Sequence, residues 1–244
     1  AAASVALRAV RDVGGVRATP EQLAQVAVKN RRHAQRNPRA QYRDPITVEE
    51  VLASPMIVDP LTRLQCCPIA DGAAAAVVCS ASMARRLKRA VTLNAMVLTS
   101  GGYESPQDLV RWETDYRSCR LAYERAGVGP EDLNVAEVHD AFSISEILHY
   151  EAMGVCNAGE GVRLVAEGVT ALEGRCPVNV SGGLLSRGHP VGATGIAQVF
   201  EIVTQLRNEA GERQVAGAAV GLAHCMGGDK AADTKSCTVA IFSK

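Results

Sequence analysis

From Val91 onward, strand-like runs alternate with helical runs, and this alternation constrains the fold more than any other feature of the chain. "VTLNAMVLTSGG" (91–102) reads as a strand entering a glycine turn. "DYRSCRLAYERAGVGPEDL" reads as a helix stopped at Gly127, with Pro130 beyond it. "NVAEVHDAF" (134–142) is a strand with charge at its end, and "SISEILHYEAMG" is a helix with Ser at its cap and Gly154 at its stop. "CPVNVSGG" is a further strand, followed by the helix "IAQVFEIVTQL". "QVAGAAVGLAHCMGG" and "CTVAIFS" close the series as strands. Such alternation predicts an α/β domain with helices covering a sheet. Open α/β sheets bind ligands beyond their strand ends. The chemically capable residues cluster at such ends, in "HDAF", "GHP" and "HCMGG".

The first ninety residues have a different texture. "TPEQLAQVAVKNRRHAQRN" (19–37) opens with Thr, Pro and Glu, a helix start, and turns basic in its second half. "PRAQYRDPI" reads as an extended linker, because proline disfavours helix in the residue before it. "TVEEVLASPMI" starts a second capped helix, "GAAAAVVCS" (72–80) reads as a buried strand, and "SMARRLKRA" as a short basic helix. "DKAADTKSC", after "CMGG", reads as a polar surface loop, or as one that reshapes the pocket.

Composition excludes several classes. The 26 basic and 26 acidic residues cancel, so no overall charge calls for nucleic acid or an anionic membrane. No apolar run reaches the ~18 residues of a spanning helix, and the charged N-terminus is not a signal peptide. The eight cysteines are irregularly spaced without a CxxC pair, which argues against a zinc site or a disulfide framework and for buried thiols in a reducing compartment. No metal ligand set is read.

"SGGLLSRGHPVGATG" (181–195) holds five glycines and one histidine directly before a helix. Glycine lets backbone approach a ligand closely, and a helix start offers unpaired N–H groups. His189, held there, can donate a hydrogen bond to a developing oxyanion.

"HDAF", "GHPVGATG" and "CMGG", in this order and with "CCPIADGAAAAVV" (66–78) upstream, resemble the thiolase superfamily, closest to its sterol-carrier-protein-type, acetyl-CoA-acetyltransferase-like branch. The resemblance covers nearly the whole chain. It implies a thiolase-like α/β fold, a layered sheet with covering helices. Residues 1–90 would be the loop region and the tail of an incomplete N-terminal half, and 91–244 a complete C-terminal half. It implies that His189 helps activate a nucleophilic Cys and binds an oxyanion, that His139 orders a water or donates to a thioester oxygen, and that Cys225 moves the proton at the reacting carbon. Phe142, Gly188, Gly227 and His224 would line the substrate site, although strand alternation turns His224 away from Cys225. The family's nucleophilic cysteine lies upstream of the loop region, so this chain is expected to need a missing half or a small partner subunit, in a homo- or hetero-oligomer.

The implied activity is acyl transfer on CoA thioesters: thiolytic cleavage of a 3-ketoacyl-CoA or the reverse Claisen condensation. Coenzyme A enters as substrate or product, no cofactor is permanently bound, and no nucleic acid or membrane is involved. The alternatives are a thiolase-like aldolase of steroid side-chain breakdown working with a partner subunit, and a non-catalytic acyl-CoA-binding or assembly subunit. The implied location is cytoplasmic, or peroxisomal in a eukaryote. Outside the motifs, His33 reads as solvated, His149 as packing, Cys66, Cys67 and Cys79 as core, and Asp140 as a helix cap or backbone acceptor. The basic set of 29–43 either draws the phosphates of coenzyme A or is a solvated helix face.

Overall fold

A computed structural model describes residues 18–102, 111–230 and 233–244. Helix α1 (Pro20–Gln35) begins where the sequence places it: Thr19 and Gln22 form a reciprocal capping box, with Pro20 in the first turn. A second Thr box, Thr47 with Glu50, starts α2 (Val48–Ala53). Strands β1 (Met56–Val58) and β2 (Leu61–Thr62) form a small antiparallel pair, and α3 (Ala81–Ala84) is a single turn.

The main sheet is built from β3 (Thr92–Ser100), β4 (Val135–Glu137), β5 (Val220–Lys230) and β6 (Asp233–Ser243), in the order β3-β6-β5-β4. β6 runs antiparallel to both its neighbours, and β4 lies parallel to β5. Helices α4 (Glu113–Ala126) and α5 (Ser143–Ala152) join one apolar layer, and α8 (Thr194–Leu206) covers the other face. Between them lie α6 (Gly161–Ala166) and α7 (Gly183–Arg187).

Period-two alternation feeds both layers. Cys237, Val239 and Ile241 of β6 join the α4/α5 layer, while Ala240 and Phe242 join the α8 layer with Ile202 and Leu206. In β5, Leu222 belongs to the first layer and Ala223 to the second. This phase puts the next two residues, His224 and Cys225, on opposite faces of the sheet.

Several expectations need correction. Residues 72–80 are extended but form no strand, and Val77 is fully exposed. Among the described residues no strand lies beside them to complete a ladder, so Cys79 is exposed as well. "CPVNVSGG" runs along β4 but makes only the Ala136–Val178 bridge, because Asn179 turns the chain at φ 57°. Helix α5 starts after Phe142 without a side-chain cap. The described part of the polar run after "CMGG" is strand rather than loop: β5 reaches Lys230 and β6 starts at Asp233, pairing Asp229 with Thr234 and Lys230 with Asp233, while residues 231 and 232 lie outside the described residues. The buried Asp233 carboxylate accepts the Thr114 hydroxyl at 2.6 Å.

Helix α1 is the largest departure. His33 is buried, its Nδ1 3.0 Å from the Asn179 carbonyl, and burial and Lys29 depress its pKa to about 3. Lys29 is also buried, paired with Glu146 and donating to the Val178 carbonyl at 2.9 Å. Arg31 is buried beneath Tyr42 and donates to the Ser186 hydroxyl. The basic set is therefore split: part of it locks α1 into the core, and Arg32, Arg36 and Arg39 stay at the surface.

Candidate functional site

Three chain segments meet at one point. The "HDAF" segment leaves β4, the "GHP" turn precedes α8, and Cys225 sits on the α8-facing side of β5. The Cys225 sulfur is 3.5 Å from His139 Nδ1, and the His139 and His189 rings meet edge to face with centroids 5.0 Å apart. The first turn of α8 closes over the cysteine: a Cβ on Gly195 would lie 3.6 Å from its sulfur. A fourth strip seals the back. Cys66 bridges to Phe142, the Cys67 amide donates to the Ala141 carbonyl at 2.9 Å, and Ile69 bridges to His189.

The hydrogen-bond partners fix the proton of His189. The Thr194 hydroxyl donates its one proton to the Pro190 carbonyl (3.1 Å), so at 2.8 Å it accepts from His189 Nδ1–H. This leaves a lone pair on His189 Nε2, and burial together with Arg187 lowers its affinity for a second proton. Burial, then the His189, His224 and His149 imidazoles, hold His139 well below the usual imidazole range. Burial, then Cys237, pushes the Cys225 thiol up to about 11, against a smaller opposing pull from Arg187. With both groups neutral, S–H donation from Cys225 to His139 Nδ1 is the arrangement that keeps the His139 proton on Nε2. The resting site thus holds one free base (His189), one N–H donor (His139) and one weak acid (Cys225).

The remaining site residues divide. Phe142 is half-buried and packs against the core as a wall. Gly188 lines a cavity of about 770 Å³ on the far side of the "GHP" turn, together with Arg39, Gln41, Gly72, Arg187 and Phe200. Neither His139 nor Cys225 borders that cavity. Gly227 lies two residues past Cys225 on the same strand face and is exposed. The expectation for His224 is overturned: it is fully buried, and its Nε2 lies 2.9 Å from Asp115 on the face away from Cys225. Asp140 is a backbone acceptor, but for Leu184 and Leu185 of α7 rather than for the helix that follows it.

Sequence reasoning missed Thr194, although it lies within "GATG", and Asp115 altogether. Asp115, His224 and Cys237, all buried, place one donor atom each within 4.8 Å of one another, a set that could hold a metal ion.

Comparison with known proteins follows the same lines. A family model described as thiolase C-terminal domain-like matches residues 97–243. Benzoylsuccinyl-CoA thiolase subunit BbsB of Thauera aromatica is 44% identical over 86% of this chain and 55% of its own length. An acetyl-CoA acetyltransferase of Methanothermobacter thermautotrophicus is 47% identical over 86% and 56%. Human sterol carrier protein 2 is 41% identical over 85% and 39%. Among solved structures, the Ltp2-ChsH2(DUF35) aldolase superposes with a TM-score of 0.83 at 25% identity, covering 98% of this chain and 62% of that one.

The chain belongs to the thiolase superfamily, in its sterol-carrier-protein and acetyl-CoA-acetyltransferase-like branch. It spans about half the length of the first two curated relatives it matches. Among the described residues, no helix is long and apolar enough to cross a membrane.

Proposed function

We propose that this chain makes or breaks a carbon–carbon bond beside the carbonyl of a CoA thioester, in the aldolase manner. The observation that carries the reading is the Cys225 sulfur 3.5 Å from His139 Nδ1, with the thiol held protonated. In retro-aldol cleavage of a 3-hydroxyacyl-CoA, His189 Nε2 takes the hydroxyl proton. The Cα–Cβ bond breaks, and its electron pair passes to the thioester as an enolate. His139 Nε2–H donates to the enolate oxygen. Cys225 then gives its proton to Cα, releasing a shortened acyl-CoA and a carbonyl compound. No nucleophilic thiolate is needed, and the close superposition on a solved aldolase supports this reading.

Thiolytic cleavage or Claisen condensation is the second reading. It is favoured by "CMGG" and by relatives named thiolase and acetyltransferase. It requires a thiolate nucleophile. Among the described residues Cys225 is the cysteine whose sulfur meets His139, and burial raises the pKa of the Cys66 and Cys67 thiols on the strip behind, so in this reading a companion stretch supplies the nucleophile.

Either reading includes a companion, from a longer form of this chain or from a second polypeptide. Ile69, Val77, Met96 and Leu98 are exposed around the site strip and the outer strand β3, and apolar residues left in water mark a surface built to be covered. In this scheme residues 91–244 form the C-terminal unit and the stretch before them docks on it. The test offers the protein, with any chain that copurifies, a 3-hydroxyacyl-CoA alone and a 3-ketoacyl-CoA with and without free coenzyme A. Cleavage of the hydroxy compound without added coenzyme A is the expected result. Cleavage confined to the keto compound and dependent on coenzyme A decides for thiolysis, and no turnover of either overturns both readings.

A further inference from the structure

Behind the site lies a polar cluster that the proposed reaction does not use. Asp115 of α4 is buried, with Oδ2 2.6 Å from His149 Nδ1 and Oδ1 2.9 Å from His224 Nε2. His149 Nε2 lies 3.1 Å from the carbonyl oxygen of His139. His224 Nδ1 accepts the backbone N–H of the same residue at 3.5 Å. The links close a ring that runs from the carboxylate to His149, through the backbone of His139 to His224, and back to the carboxylate. The His149 and His224 rings are 4.3 Å apart, and Trp112 stacks on His149.

We infer that Asp115, His149 and His224 are positioning residues, a clamp that grips both the N–H and the C=O of His139 and so holds its ring against Cys225. Both nitrogens of His149 face acceptors, a carboxylate oxygen of Asp115 and the carbonyl oxygen of His139. His224 is different: Nδ1 receives the N–H of His139, so its one proton sits on Nε2 toward Asp115. Cys237, 3.3 Å from that Nε2, and Cys119, 3.7 Å from Asp115, complete the titratable surroundings. Burial lowers the pKa of His149 on balance, against the opposing pull of Asp115. Burial also raises Asp115, but His224 and His149 outweigh this and keep it ionised. The ring is satisfied without a metal ion.

The division of labour follows from strand alternation. On β5, His224 points into the clamp and the next residue, Cys225, points into the site. The same backbone step therefore fixes the cysteine and, through the clamp, the histidine it meets.

The catalytic consequence rests on the reading of His139 and Cys225 as reacting groups. The clamp itself is tested without turnover, so the two can fail separately. Nitrogen-15 NMR of the intact chain is expected to find a ring proton of His224 on Nε2, toward Asp115, with Nδ1 accepting the His139 amide. Amide exchange at His139 is expected to be slow and to rise about tenfold or more in Asp115→Asn, while β5 and β6 amides keep their protection. His224→Gln, which preserves an acceptor and a donor, should keep that protection, and His224→Leu should lose it. In the active assembly, Asp115→Asn should lower kcat with KM unchanged. A proton on Nδ1 of His224, unchanged exchange at His139 in Asp115→Asn, or stoichiometric zinc bound at His224 Nε2 would each overturn the clamp. If Asp115→Asn does not fold, the nitrogen-15 measurement on the unaltered chain decides.

Discussion

Replacing His189 with alanine should lower turnover ~10²-fold or more, the effect typical of losing one pre-aimed group that stabilises charge in the transition state. His189 is the free base of the site, because Thr194 holds its Nδ1 proton and leaves Nε2 open. Once protonated, the same nitrogen becomes a donor, so one side chain serves as base and then as oxyanion partner. Thr194→Val should show a smaller loss, since the ring remains but its tautomer is no longer dictated. Steady-state kinetics of the active assembly check both, and full turnover in His189→Ala removes the residue from the mechanism.

The largest expected effect on stability lies at Lys29. Its ammonium pairs with Glu146 inside the protein, where Asn30 and Asn179 donate to the other carboxylate oxygen at 2.6 and 2.7 Å and Tyr150 donates from the side. Lys29→Met strands that carboxylate among amides without a cation. Breaking such a pair by removing one partner costs about 3–5 kcal/mol. Lys29→Met combined with Glu146→Gln should recover part of the loss, since the two positions are in contact and their effects do not add. Urea unfolding midpoints of the unaltered chain and the two variants measure this. A loss in Lys29→Met no larger than that of an exposed lysine would show that the pair does not anchor α1.

These two sites also mark what sequence could reveal. The alternation beyond Val91 revealed β3, α4 and α8 because each buries one face, and β5 and β6 because each is a short apolar run buried on both faces, the two signals that hydrophobic patterning records. Gly127 ended α4 in the left-handed conformation the sequence led one to expect, at φ 68°. The convergence of His139, His189 and Cys225 was legible because each sits at an element end. The core of α1 was not. Lys29, Arg31 and His33 look like a solvated basic face, and only Glu146, Asn179 and Ser186, more than a hundred residues away, make their burial affordable. The clamp was hidden for the same reason. Asp115, His149 and His224 come from three separate elements, and no local spacing relates them. The segment 72–80 misled in the other direction: small and β-branched residues signal a strand, but a strand exists only where a neighbour pairs it.

Exchange of the α-hydrogen tests the central claim most directly, because aldol cleavage, thiolysis and Claisen condensation all pass through an enolate at that carbon. The protein, with any companion chain, is incubated with a simple acyl-CoA in heavy water, and the thioester is analysed by mass spectrometry. The expected result is deuterium at the α-carbon, lost in Cys225→Ala and strongly slowed in His139→Ala. An acyl-CoA that binds but acquires no deuterium, or exchange that persists undiminished in Cys225→Ala, would contradict a site in which Cys225 moves the proton and His139 steadies the enolate.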